Sequence, residues 1–399
     1  MKNPVASLHD IILPAPKKLW VRGGAEMEWH ELEDNRQELV PVFPITIESI
    51  DLLLSAEPLT DNLERTIGHR YSYRIKTSDG IEREASVYIP VSIKQEAPDF
   101  TVLLDTAWFT TLDGHNDNVA TTILSETGLP IISIGAEHSA VSSSSFNPVT
   151  LGKTVLQSAT ISLAKSAQSS QLIAATLAVE IHKIPACYIK VGESRGAMIS
   201  PAQAAYATRY DNEIPYIDIT APCVPVRLFE DDGDMLRLGQ FPISEVMGAM
   251  AVGVETARKK ITNRLLGTVS LNAHFGISNI VGQAPALASG EAGEFPKWMR
   301  RDSAIHIVTF GNDSVSRPEV WKKYYKDFPN AAIITLHGTH MTLAHPETLR
   351  HLVDRINRFK VESKTKNNVV SMIDWKKVHL KDDDRRISLK HLDELKHAN

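Results

Sequence analysis

The chain has 399 residues, enough for one large or two ordinary cores, and its 43% apolar and 23% charged content is that of a soluble globular protein. A formal net charge of −5 argues against nucleic acid as the main partner. No apolar run has the length of a membrane span or a signal peptide, and the two cysteines, Cys187 and Cys223, read as core thiols of a reducing compartment, so a cytoplasmic protein is expected.

Residues 1–62 carry prolines at 4, 14, 16, 41, 44 and 58 and read as an N-terminal extension wrapped over the main domain, with a short helix predicted at Thr46–Ala56 from its apolar spacing. Tyr71–Thr77 and Glu82–Pro90 are β-rich runs separated by Ser78-Asp79-Gly80, and Asp-Gly between alternating strands signals a hairpin. Phe100–Asp105 is a third strand, apolar on both faces. A helix is predicted near Asn118–Ser125 and a short buried strand at Leu129–Gly135. After the serine run Ser142–Ser145, residues 150–183 place alanine, leucine and isoleucine at helical spacing and hold one or two helices.

A strand then leads into Gly192-Glu-Ser194-Arg-Gly196, followed by an alanine-rich helix at Ala197–Tyr210 and a strand at Ile214–Thr220. From Pro225 to about Arg301 the alternation breaks: an acidic loop, Glu230–Asp234, precedes a helical stretch from Ile243 to about Leu266 and a glycine- and alanine-rich part. Strands return at Ala304–Phe310 and Ala332–Leu336, and a last helix runs from Pro346 to about Lys360. Residues 363–399 form a charged tail. Strands alternating with helices argue for a mostly parallel sheet covered on both faces.

The Gly192, Ser194 and Gly196 spacing is G-x-S-x-G. Between a buried strand and a helix, it holds a serine hydroxyl out of the sheet on a sharp turn, and the glycines admit close backbone approach. Two further groups follow strands downstream: Asp313 in Gly311-Asn-Asp, and His340 in Gly338-Thr-His. The order Ser, Asp, His and the elbow together resemble the α/β-hydrolase family over roughly residues 65–362. That resemblance implies a mostly parallel eight-stranded sheet flanked by helices. Its parts would be a core over 63–224 and 302–362 and an inserted cap over 225–301.

It further implies a serine hydrolase that cleaves a carboxylic ester, or alternatively an amide, of a small ester or acyl substrate, with no cofactor and no metal. Ser194 is the expected nucleophile, His340 the base and Asp313 the group that orients it. The oxyanion donors are expected to be the backbone N–H of Arg195 and one from Thr106, Ala107 or Trp108, where Asp105-Thr106 replaces the His-Gly pair frequent in the family. His337 is a rival base, and Glu230 or Asp231 are rival acids. Acyl transfer by the same triad and a non-catalytic binding protein are the alternative functions. Leu151-Gly-Lys-Thr154 resembles the end of a phosphate loop but lacks the strand before it and the first glycine, which would fall at Asn147. Asp113-Gly-His-Asn-Asp117 has no recognised metal-ligand spacing, and Met247, Met250 and Val254 read as packing.

Overall fold

The computed structural model describes residues 24–32, 36–61, 63–91, 99–105, 115–135, 162–207, 216–222, 291–311, 321–322, 324–336, 343 and 346–366. In chain order the strands are β1 (Glu26–Glu31), β2 (Gln37–Val42), β3 (Ile47–Thr60), β4 (Thr66–Thr77), β5 (Glu82–Pro90), β6 (Thr101–Asp105), β7 (Ile131–Ile134), β8 (Tyr188–Ser194), β9 (Tyr216–Pro222), β10 (Ile305–Phe310) and β11 (Ala331–Leu336). The helices are α1 (His115–Thr127), α2 (Leu163–Ala175), α3 (Arg195–Ala207) and α4 (Pro346–Lys366). Cys223, the serine run, the phosphate-loop and Met247 decoys, residues 225–290 of the expected cap and residues 367–399 of the tail lie outside the described residues.

Nine strands form one sheet in the order β11-β10-β9-β8-β6-β7-β5-β4-β3, one strand more than expected. The strands from β11 to β7 run parallel to one another, and β5, β4 and β3 continue the sheet antiparallel. The additional strand is the segment expected to be a helix at Thr46–Ala56. Its Ile47, Ile50 and Leu54 are spaced for a helix, but Ile47 and Ile50 are buried in a strand paired with β4. Tertiary context prevails over local spacing there, because the outer edge of β4 offers a row of backbone donors and acceptors with which a further strand can pair. The pairing is irregular, with register shifts near Leu54–Glu57 and a positive φ of 50° at Ala56. The hairpin at Ser78-Asp79-Gly80 is present as expected, with Gly80 at φ 77°.

The central strands are buried on both faces, as their continuous apolar sequences require. One face is covered by α2 and α3, which pack on Leu103, Ile132, Ile134 and Tyr188; the other is covered by α1 and α4, which pack on Val102, Leu104, Ile131, Ile189 and Val191. α2 is buried on nearly all sides although its sequence is rich in serine and glutamine. Several of its polar groups are taken up by its own cap and by neighbouring segments. Ser162 caps the first turn by accepting the N–H of Lys165, and the buried Glu291 carboxylate accepts the N–H groups of Leu163 and Ala164 at 3.1 and 2.9 Å. Gln168 exchanges two hydrogen bonds with the backbone of Phe43, at 2.9 and 2.8 Å, and so fastens the N-terminal segment to this helix. α4 runs six residues beyond the expected end at Lys360. Among the described residues no helix is long and apolar enough to cross a membrane.

α2 passes into a wide π turn over Thr176–His182, which Lys183 closes in the left-handed conformation. His182 sits there against the edges of Tyr71 and Tyr73, its Nε2 2.8 Å from the Tyr73 hydroxyl, and burial pushes its pKa from 6.5 down to about 4. The folded chain therefore binds fewer protons at this site than the unfolded chain between about pH 6.5 and 4. The stability contributed by the neutral ring is complete above 6.5 and is lost as pH falls through 4. His182→Gln keeps an acceptor for Tyr73 without the titration. Urea unfolding at pH 7 and pH 4.5 is expected to show the variant losing about 2 kcal/mol less than the wild type on acidification; equal losses would remove His182 from the acid response.

Candidate active site

The elbow is built by sterics that begin with two glycines. β8 ends at Ser194 and α3 begins at Arg195, with no residue between them. The reversal is taken up at Ser194 itself, whose φ of 53° lies in the left-handed region that costs an L-residue about 1–2 kcal/mol. For strand and helix to approach so closely, neighbouring positions must lack side chains. A Cβ on Gly192 would stand 2.5 Å from the carbonyl carbon of Gly196, and one on Gly196 would stand 2.2 Å from the carbonyl oxygen of Asp105. Ser194 is 5% exposed. Arg195 is the first residue of α3, and the N–H groups of a helix's first turn point away from the helix body.

The side chains on either side of Ser194 are buried, a feature not legible from the motif. The Arg195 guanidinium donates to the Ser166 hydroxyl of α2, which also receives Arg83 at 2.9 Å. The Glu193 carboxylate accepts the backbone N–H of Leu343 at 3.3 Å and so ties the elbow to the segment between β11 and α4, three residues beyond His340. A Glu193→Ala variant strands that buried donor and is expected to lose about 2 kcal/mol of stability in chemical unfolding, whereas Glu193→Gln keeps an acceptor and most of the loss is avoided. Equal stabilities for the two variants would show that the acceptor is unimportant.

A second set of buried polar groups lies on the α2/α3 face of the sheet. Asp105, the last residue of β6, pairs across the ladder with Gly192, and Leu103 pairs with Lys190, so Asp105 and Lys190 project from the same face. Both are 1% exposed. Ser170 donates to Asp105 at 2.9 Å, and Lys190 donates to Gln171 at 2.6 Å. Burial raises the Asp105 pKa against the pull of Gln203, Lys190, Ser170 and Arg195. Burial also lowers the Lys190 pKa to about 7, against the opposing influence of Asp105. The available signal was the charge in otherwise apolar strands: FTVLLD ends in an aspartate and the elbow strand contains a lysine.

The other expected site residues, Asp313, His340, Ala107 and Trp108, with Thr106, His337, Glu230 and Asp231, lie outside the described residues. The strands that precede Thr106, Asp313 and His340 are described. β6 ends at Asp105 just before Thr106, β10 at Phe310 three residues before Asp313, and β11 at Leu336 four residues before His340. These strands and β8 are parallel, so their carboxyl ends lie along one edge of the sheet, the edge where Ser194 stands. Among the described residues no group of three histidine, cysteine or acidic side chains could hold a metal ion.

No family model and no curated protein sequence matches the chain. Solved structures do. It is similar to acetyl xylan esterase 1 from Thermoanaerobacterium sp. JW/SL YS485, with 14% identity over 87% of this chain and 93% of that chain and a TM-score of 0.47. It is similar to the enol-lactonase from Burkholderia xenovorans LB400, with 11% identity over 70% and 97% of the two chains and a TM-score of 0.46. Similarity extends to brefeldin A esterase, a bacterial homologue of human hormone sensitive lipase, with 12% identity over 77% and 81% and a TM-score of 0.46. The fold itself is read from the sheet. From β4 onward the strands stand in the order first, second, fourth, third, fifth to eighth, β5, the second of these eight, runs opposite to the other seven, and the strained serine ends the fifth. With that strand order and that elbow, the chain has the α/β-hydrolase fold.

Proposed function

We propose that the protein is a serine hydrolase that cleaves a carboxylic ester through an acyl-serine intermediate. The observation that carries this reading is the left-handed backbone of Ser194 between two glycines whose hydrogens face backbone atoms at close range. Strain of this kind persists only where the surrounding structure enforces it, and it characteristically marks functional positions.

In this reading the Ser194 hydroxyl attacks the ester carbonyl carbon while His340 takes its proton, and Asp313 holds the imidazole in the accepting tautomer and stabilises the imidazolium. The negative charge that gathers on the carbonyl oxygen is met by the Arg195 N–H and by a second N–H from Ala107 or Trp108. His340 returns the proton to the departing alkoxide, and the acyl group remains on Ser194. Water then attacks the acyl carbon, losing its proton to His340, and Ser194 leaves as a hydroxyl with that proton. The bond between Glu193 and Leu343 supports this arrangement, because it fastens the chain just past His340 to the nucleophile's own strand.

The test is to incubate the full chain with a fluorophosphonate probe, map the labelled peptide, and measure hydrolysis of p-nitrophenyl esters from two to twelve acyl carbons. Labelling at Ser194 with turnover of at least one ester is expected, and the chain-length optimum then sizes the acyl pocket. An unlabelled chain that turns over none of the esters would leave Ser194 as a strained turn without an activated hydroxyl.

A further inference from the structure

We propose that Asp105 is a positioning residue for this reaction: hydrogen-bonded to Ser170, its side chain holds the end of β6 against the first turn of α3, the turn that carries the Arg195 N–H. The inference rests on the hydrolase reading and deepens it.

Groups from three neighbouring elements converge on this carboxylate. α2 supplies the Ser170 hydroxyl at 2.9 Å, while Arg195 of α3 and Lys190 of β8 are the cationic side chains whose charge acts on it. Two ionisable side chains withdrawn from water cost several kcal/mol that apolar residues of similar volume would avoid, so their presence is not explained as packing. The position of Asp105 gives a reason for it. The Asp105 carbonyl is what the hydrogen of Gly196 faces, so the end of β6 and the first turn of α3 are in van der Waals contact. The Arg195 N–H stands on that turn, and the chain leaving Asp105 begins with Thr106, Ala107 and Trp108. A donor must lie within about 0.5 Å of its place to meet the oxyanion rather than the ground-state carbonyl. Tying the end of β6 to α2 while its carbonyl abuts the first turn of α3 supplies such placement for the Arg195 N–H. Lys190, bonded in turn to Gln171 of α2, extends the tie to the nucleophile's strand.

The experiment compares wild type, Asp105→Asn and Ser170→Ala as full chains, reading kcat and KM on a p-nitrophenyl ester, the fluorophosphonate inactivation rate, and the melting temperature. Asp105→Asn is expected to lower kcat about a hundredfold with KM within about twofold, and to slow inactivation by a similar factor, because phosphonylation uses the same donors. Ser170→Ala, which leaves the carboxylate in place with one tether fewer, is expected to lower kcat about tenfold. A folded Asp105→Asn variant with wild-type kcat and inactivation rate overturns the proposal, as does a loss confined to KM. If Asp105→Asn does not fold, Ser170→Ala decides: a fall in kcat at unchanged KM supports the proposal, and wild-type kinetics overturn it. A wild type that is neither labelled nor active overturns the hydrolase reading itself, an outcome distinct from normal turnover in the variants.

Discussion

Gly196→Ala is expected to yield a chain that is mostly insoluble or, where soluble, at least about 3 kcal/mol less stable than wild type in urea unfolding. The added Cβ would stand 2.2 Å from the Asp105 carbonyl oxygen, 2.6 Å from the carbonyl carbon and 2.9 Å from the Asp105 Cβ. None of these atoms is the far end of a flexible side chain, so relief requires β6 and α3 to separate. That movement would open the ladder between β6 and β8 and the packing of α3 on the sheet together. Gly80→Ala is the control that isolates backbone strain from collision. Gly80 has a φ of 77° but nothing within 4 Å of its would-be Cβ, so the substitution is expected to cost only about 1 kcal/mol, the penalty for an L-residue in the left-handed region. A Gly196→Ala variant no less stable than Gly80→Ala would show that the close contact at the elbow is not obligatory.

The contrast explains why the elbow was legible in the sequence. Gly192 is required by atoms of residues 196–200, a local steric demand that leaves a local signature, whereas the atoms that exclude a side chain at Gly196 belong to Asp105 on another strand. The parallel strands were legible for a similar reason, since burial on both faces demands continuous apolar runs such as those of β6, β7 and β10. β3 was misread because its fate is decided elsewhere: nothing within Ile47–Thr60 announces that β4 has an open edge beside it. The buried polar set was half legible. Asp105 and Lys190 stand out as charges in apolar strands, but Ser170 and Gln171 sit in a helix whose polar content suggests a solvent-facing side. Their role depends on α2 being enclosed, which its own sequence does not state. Asp313 and His340 were inferred from their positions after strands, and the bond from Leu343 to Glu193 is one described contact that links their end of the chain to the strand of Ser194.

Ser194 joins the fold to the proposed chemistry, and substituting it separates the two. Ser194→Ala removes the hydroxyl and keeps a Cβ in the same left-handed conformation, so hydrolysis is expected to fall by at least about ten-thousandfold while the melting temperature stays near that of the wild type. Ser194→Gly removes the hydroxyl and the Cβ together. With φ at 53° the glycine meets no steric penalty, and the relief exceeds the extra chain entropy a glycine loses on folding, so this variant is expected to be equally inactive and about 1 kcal/mol more stable than Ser194→Ala. Kinetics on the ester series and paired urea titrations read both effects. A Ser194→Ala protein that retains turnover would place the nucleophile elsewhere. A Ser194→Gly protein less stable than Ser194→Ala would mean that the turn stores no strain, and with it would go the structural reason for assigning Ser194 a catalytic role. Both expected results together would show a backbone held in an unfavourable conformation so that one hydroxyl stands at the carboxyl edge of the sheet, where β6, β8, β10 and β11 all end.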